Sequence, residues 1–138
     1  MKKYKIGYTT GVFDMFHIGH LNILRRAKEQ CDYLIVGVTT DELCLSRKHK
    51  SPVINHHDRM EIIAAIKYVD KVVSQEDMDK VAAVCKYGCD VVFVGSDWQG
   101  TPSWIEYEKQ FKEFGCDVVY LKHTDGISST LLREEHKK

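Results

Sequence analysis

Short runs rich in β-branched and other apolar residues recur at 5–10, 33–39, 71–74, 91–94 and 118–121, and stretches of helical periodicity lie between them. This alternation constrains the chain more than any other feature. The helical stretches are 21–30, with Leu21, Ile23, Leu24 and Ala27 on one side, then 58–68, 78–86 and 102–114. Strand followed by helix followed by strand predicts a parallel sheet, because parallel neighbours need a crossover connection. Local punctuation agrees. Thr101 before Pro102 suits a helix start, Gly88 and Gly115 follow helical runs as C-caps do, and Ser128 or Ser129 would cap a last helix over 130–135. The expected architecture is a single α/β domain over 1–138, with about five parallel strands and helices on both faces. Ligands of such sheets gather at the carboxyl ends of the strands.

At 138 residues the chain is long enough to bury roughly two-thirds of its unfolded surface without disulfides or metals. Lysines and arginines number 20 and acidic residues 20, and the basic residues are scattered, so the electrostatic footprint of a nucleic-acid binder is missing. No run is long and apolar enough for a signal peptide or a membrane span, which points to the cytoplasm and away from membranes. The five cysteines form no C-x-x-C pair, and their odd number argues against a disulfide framework. Cys85 and Cys89 lack two further zinc ligands at suitable spacing.

The first strand runs directly into Gly11-Val12-Phe13-Asp14-Met15-Phe16-His17-Ile18-Gly19-His20, and a helix pattern begins where this segment ends. A helix start presents unpaired N–H groups and the positive end of the dipole, so it favours phosphate, and Gly11 and Gly19 allow close approach. His17 and His20, three apart, can face the same way. Two imidazoles there can donate hydrogen bonds to phosphate oxygens whose charge grows as a nucleophile attacks phosphorus. A lone histidine in a loop usually serves packing or solubility. The pair, the glycine between them and the position at a strand-to-helix turn together favour phosphate chemistry. Neither a Walker-type loop nor a G-x-G-x-x-G fingerprint fits the segment.

The pattern G-x-F-D-x-x-H-x-G-H over Gly11 to His20 resembles the signature of the cytidylyltransferase-like nucleotidyltransferases. Within that family the chain is most similar to the bacterial glycerol-3-phosphate cytidylyltransferases, through Asp32-Tyr33-Leu34, Thr40-Asp41-Glu42, Tyr68-Val69-Asp70, Asp97-Trp98-x-Gly100, Val118-Val119-Tyr120-Leu121 and Gly126-Ile127-Ser128-Ser129-Thr130. The resemblance implies a Rossmann-like fold, a homodimer, Mg²⁺ held mainly through a triphosphate, CTP as nucleotide and a phosphorylated small alcohol as acceptor. It implies catalytic roles for His17, His20, Lys50 and Arg59, the last as a phosphate contact.

Nucleotide-binding residues by the same resemblance are Thr10, Gly11, Val12, Phe13, His17, Gly19, His20, Lys48, Lys50, Asp97, His123, Thr124, Ile127, Ser128 and Ser129. Asp14, Lys67, Asp97 and Trp98 are implied for the acceptor. From the residues alone, Arg47-Lys48-His49-Lys50 reads equally well as a phosphate-facing cluster or a solvated basic loop. Two positions depart from the family pattern, His123 and Lys67, both where arginine is usual; His123 replaces a permanent bidentate cation. Phosphocholine or phosphoethanolamine cytidylyl transfer, adenylyl transfer to a sugar phosphate, and a non-catalytic nucleotide-sensing module stay open as alternatives.

Overall fold

A computed structural model of the chain describes residues 3–122. Five strands, β1 (Tyr4–Gly11), β2 (Cys31–Thr39), β3 (Lys71–Gln75), β4 (Val91–Gly95) and β5 (Asp117–Leu121), form one sheet in the order β3-β2-β1-β4-β5. Every pairing is parallel. The strands coincide with the five apolar runs to within two residues at either end. Runs this uniform in sequence reflect burial on both sides. Alternate side chains serve different cores: Leu34, Val36, Val38, Val91 and Phe93 join one cluster, while Ile35, Val92 and Tyr8 join another.

Helices cover both faces. On one side α1 (Ile18–Gln30) and α3 (His56–Ala64) contribute Leu24, Ala27 and Ile63 to the first cluster. On the other, α4 (Lys80–Tyr87) and α5 (Pro102–Glu113) contribute Val84, Trp104 and Phe111 to the second. Gly88 and Gly115 adopt the left-handed conformation at φ 65° and 69° that a helix stop requires. The expected helix over 130–135 lies outside the described residues.

Several boundaries differ from the sequence expectation; α1 begins at Ile18 rather than at 21, and α3 at His56 rather than at 58. The polar stretch after β2 is a helix, α2 (Asp41–Lys48), capped by the Thr40 hydroxyl, which accepts from Leu43 N–H at 3.1 Å. Helix α3 ends at Ala64 rather than at 68, because the Ala65 N–H reaches back to Glu61, Ile62 and Ile63 carbonyls and the chain turns. Ile66 and Val69 still pack on the first core, so the apolar spacing outlasts the helix. Helix α4 begins at Lys80, two residues later than expected, with Asp79 as its cap.

Candidate active site

Between β1 and β4 the strand order reverses direction, and a cleft opens at their carboxyl ends, as open α/β sheets require. It encloses about 310 Å³. Thr10 to Asp14 and His20 form one wall, after β1, and Gly95, Asp97 and Trp98 another, after β4; Lys48 and Lys80 line the cleft from α2 and α4, and Lys50 from the segment beyond α2.

The first wall owes its shape to a tight, partly strained loop. Phe13 and Met15 both lie in the left-handed region at φ 54° and 51°, a conformation that non-glycine residues hold only when their surroundings enforce it. Gly11 is one reason that Phe13 fits: a Cβ there would stand 3.0 Å from the Phe13 ring. That ring meets His20 edge-on with centroids 5.5 Å apart, and Phe16 lies 5.3 Å from His20.

The two histidines cap α1 reciprocally. His17 Nδ1 accepts from Gly19 N–H at 3.0 Å, and His20 Nδ1 accepts from His17 N–H at 3.2 Å. The same logic governs the more usual Ser/Glu capping box. With both Nδ1 atoms accepting, each neutral ring carries its proton on Nε2 and can donate from there. The rings stack at 3.9 Å between centroids. Burial pushes His20 down to about 4, with the neighbouring His17 adding to the effect and Asp14 opposing it; burial also lowers His17. Both are therefore neutral donors at physiological pH. His17 Nε2 is buried without a hydrogen-bond partner among the described residues. Such an atom is costly unless something accepts from it.

Lys48 ends α2 and Lys50 follows two residues later, yet both line the cleft. On a continuous helix such a pair would point roughly 200° apart. His49, left-handed at φ 58°, turns the chain between them. Trp98 sits in the short turn after β4 and is 49% exposed at the cleft edge.

Lys80 escaped the sequence reading. It is 7% exposed, donates to the Thr10 hydroxyl at 2.8 Å and lies 5.8 Å from the Trp104 ring centre. Burial brings its pKa down to about 8, with Arg47 adding to the shift. A faint signal existed: a lysine opening a helix opposes the dipole, and residues that break a local rule often serve a site.

Four expected positions do not line the cleft: His17, which stacks on the His20 ring that does, Gly19, Arg59 and Lys67. Arg59 is completely buried, 0% exposed, so it faces no ligand from this position. Its Nε donates to Ile54 O at 2.8 Å, Nη1 to Val12 O at 2.8 Å and Thr39 O at 2.7 Å, and Nη2 to the Asp41 carboxylate. Burial tends to raise Asp41, but hydrogen bonds from Arg59 and from His56 N–H outweigh it and hold the carboxyl below its ordinary range. Lys67 is exposed in the turn after α3, its ammonium 5.2 Å from the Tyr68 ring centre, and does not line the cleft. Asp14 does border the cleft, and its carboxylate accepts Val53 N–H at 2.8 Å and Ile54 N–H at 2.9 Å. His123, Thr124, Ile127, Ser128 and Ser129 lie outside the described residues.

Among the described residues, the grouping suited to a metal is His57, Asp58 and Glu61, exposed on α3 and away from the cleft lining. None of the described helices is long and apolar enough to cross a membrane.

The cytidylyltransferase-like family model matches residues 8–135. The glycerol-3-phosphate cytidylyltransferase of Staphylococcus aureus is 39% identical over 128 residues, covering 92% of this chain and 91% of that protein. An FAD synthase of Archaeoglobus fulgidus is 33% identical over 82% of this chain and 81% of its own length. Among solved structures, a lipopolysaccharide core biosynthesis protein from Thermoplasma volcanium superposes with a TM-score of 0.72 at 26% identity, covering 88% of this chain and 97% of that one. With relatives this similar over this much of its length, the chain belongs to the cytidylyltransferase-like family and is a nucleotidyltransferase.

Proposed function

We propose that the chain transfers CMP from CTP to glycerol 3-phosphate, giving CDP-glycerol and pyrophosphate. The observation that carries the reading is the stacked imidazole pair, neutral and with both Nδ1 atoms engaged by backbone N–H groups, at the mouth of α1. The choice of CTP and glycerol 3-phosphate rests on the similarity to the Staphylococcus aureus relative.

In the reaction an acceptor phosphate oxygen forms a bond to the α-phosphorus while the bond from that phosphorus to the β-phosphate oxygen breaks. The Nε2–H groups of His17 and His20 donate to oxygens that gain charge, a stabilisation that needs no covalent intermediate. Lys48 and Lys50 neutralise phosphates. Lys80, which lines the same cleft as Trp98 and Asp97, offers an ammonium to the acceptor end. Mg²⁺ fits this cleft as a cation carried by the triphosphate, since it favours substrate phosphates with one or two carboxylates, and Asp97 lines the cleft. It would supply charge neutralisation on the leaving pyrophosphate. The protein acts as a cytoplasmic homodimer, and its product feeds a cell-envelope polymer.

Pyrophosphate release tests the reading, measured with each of four nucleoside triphosphates against glycerol 3-phosphate, phosphocholine, phosphoethanolamine and sugar phosphates. Turnover with CTP and glycerol 3-phosphate is expected. A preference for ATP would move the chain to adenylyl transfer, for which the FAD synthase relative is a precedent. Binding of CTP without turnover on any acceptor would leave a nucleotide-sensing module.

A further inference from the structure

The stretch 48–54 carries Lys50 over the cleft, and beyond the end of α2 it has no helical or strand structure of its own. A lysine on a loose loop would have to be ordered when ligand binds, at a cost in conformational entropy. Here the order is built in. The Cys44 thiol donates to Lys50 O at 3.5 Å. Asp14 accepts the N–H groups of Val53 and Ile54, and Arg59 Nε holds the Ile54 carbonyl. The same guanidinium binds Val12 O in the loop after β1, Thr39 O at the end of β2 and Asp41 in the first turn of α2. One buried side chain thus joins the loop after β1, the end of β2, the start of α2 and the 48–54 segment.

Arg59 is enclosed and every group of its fork is engaged, so its effect on ligand must pass through what it holds. Asp14, 3% exposed, closes the second tie from the imidazole-bearing loop. We propose that Arg59 and Asp14 are positioning residues that fasten the 48–54 segment to the loop after β1, holding Lys48 and Lys50 in place before ligand arrives. This rests on the reading of the cleft as a triphosphate site.

A double-mutant cycle tests it, with Arg59→Lys measured in the wild-type background and in a Lys48→Ala/Lys50→Ala background. Lysine keeps the charge but cannot span four acceptors. In the wild-type background Arg59→Lys is expected to lower kcat/KM for CTP by about 10- to 100-fold. In the background without the two lysines it should cost little more, because the route of its action is gone. Asp14→Asn, of equal size, should behave the same way and serves if Arg59→Lys does not fold. Either variant, with its circular dichroism and Tm checked, should also be cut faster by trypsin after Lys48 and Lys50 than the wild type.

Losses that multiply across the cycle would mean that Arg59 acts directly or on the fold as a whole, and would overturn the proposal. Unchanged tryptic cutting in both variants would overturn it too. Were wild type to show neither CTP binding by calorimetry nor turnover, the nucleotide reading would fail, and the tryptic comparison would still decide whether the segment is held this way.

Discussion

His20 shows how much a single side chain can carry here. Its ring caps a helix, stacks on His17, packs against Phe13 and presents Nε2–H to the cleft. His20→Ala should lower kcat by about 10²- to 10³-fold in the pyrophosphate assay, the usual loss for a donor to a developing oxyanion. Its folded pKa of about 4 lies below the ordinary 6.5, so the native state disfavours the imidazolium. The corresponding stability is complete above about pH 6.5 and declines as pH falls towards 4. Tm measured across that window should fall for the wild type and stay flatter for His20→Gln. Lys80 presents the opposite case, a buried ammonium whose charge burdens the fold at neutral pH. Lys80→Met should raise Tm by about 5 °C while raising KM for the acceptor about tenfold. That His17, Gly19 and His20 meet at a helix start was legible because the signal is local: a glycine and two imidazoles within one turn. Arg59 and Lys80 were not. Helical spacing places a residue on its helix but does not say which side will face the interior, and only the packed sheet decided that Arg59 lies inside and Lys67 outside.

At the scale of elements, β2 and β4 were legible because they are buried along most of their length and read as nearly continuous apolar runs, and the partly exposed β3 and β5 still carry a central β-branched pair. Helix α2 was not, although its signals are present: Thr40 as cap, Asp41 and Glu42 in the first turn, Arg47 and Lys48 in the last. Eight residues make a helix that is marginal alone, and its polarity reads as loop until Cys44 is seen to be buried against the cleft. Thr40→Ala should therefore cost about 1 kcal/mol in chemical denaturation. His49 holds the left-handed stop of this helix. Glycine adopts that conformation without steric cost, so His49→Gly should leave stability equal or higher and keep the turn between the two lysines. The α3 boundary was overextended because Ile66 and Val69 continue an apolar rhythm from a turn that also packs on the core. Periodicity records burial, and burial can outlast the helix that first produced it.

For the whole molecule, the two cores meet across β1, and tolerance there is small. At Gly7 a Cβ would stand 2.6 Å from the Phe93 ring and 2.9 Å from Cys31 Sγ. Gly7→Ala should destabilise the fold by about 1–3 kcal/mol, measured as a lower denaturation midpoint with unchanged m-value. The sheet order has another consequence, felt as the chain leaves the ribosome. The imidazole-bearing half emerges first, but β1 keeps one unpaired edge until β4 arrives some eighty residues later. Throughout that interval the nascent chain displays an adhesive strand border and half of a binding surface. Completion of the sheet then removes the hazard and assembles the site in the same event.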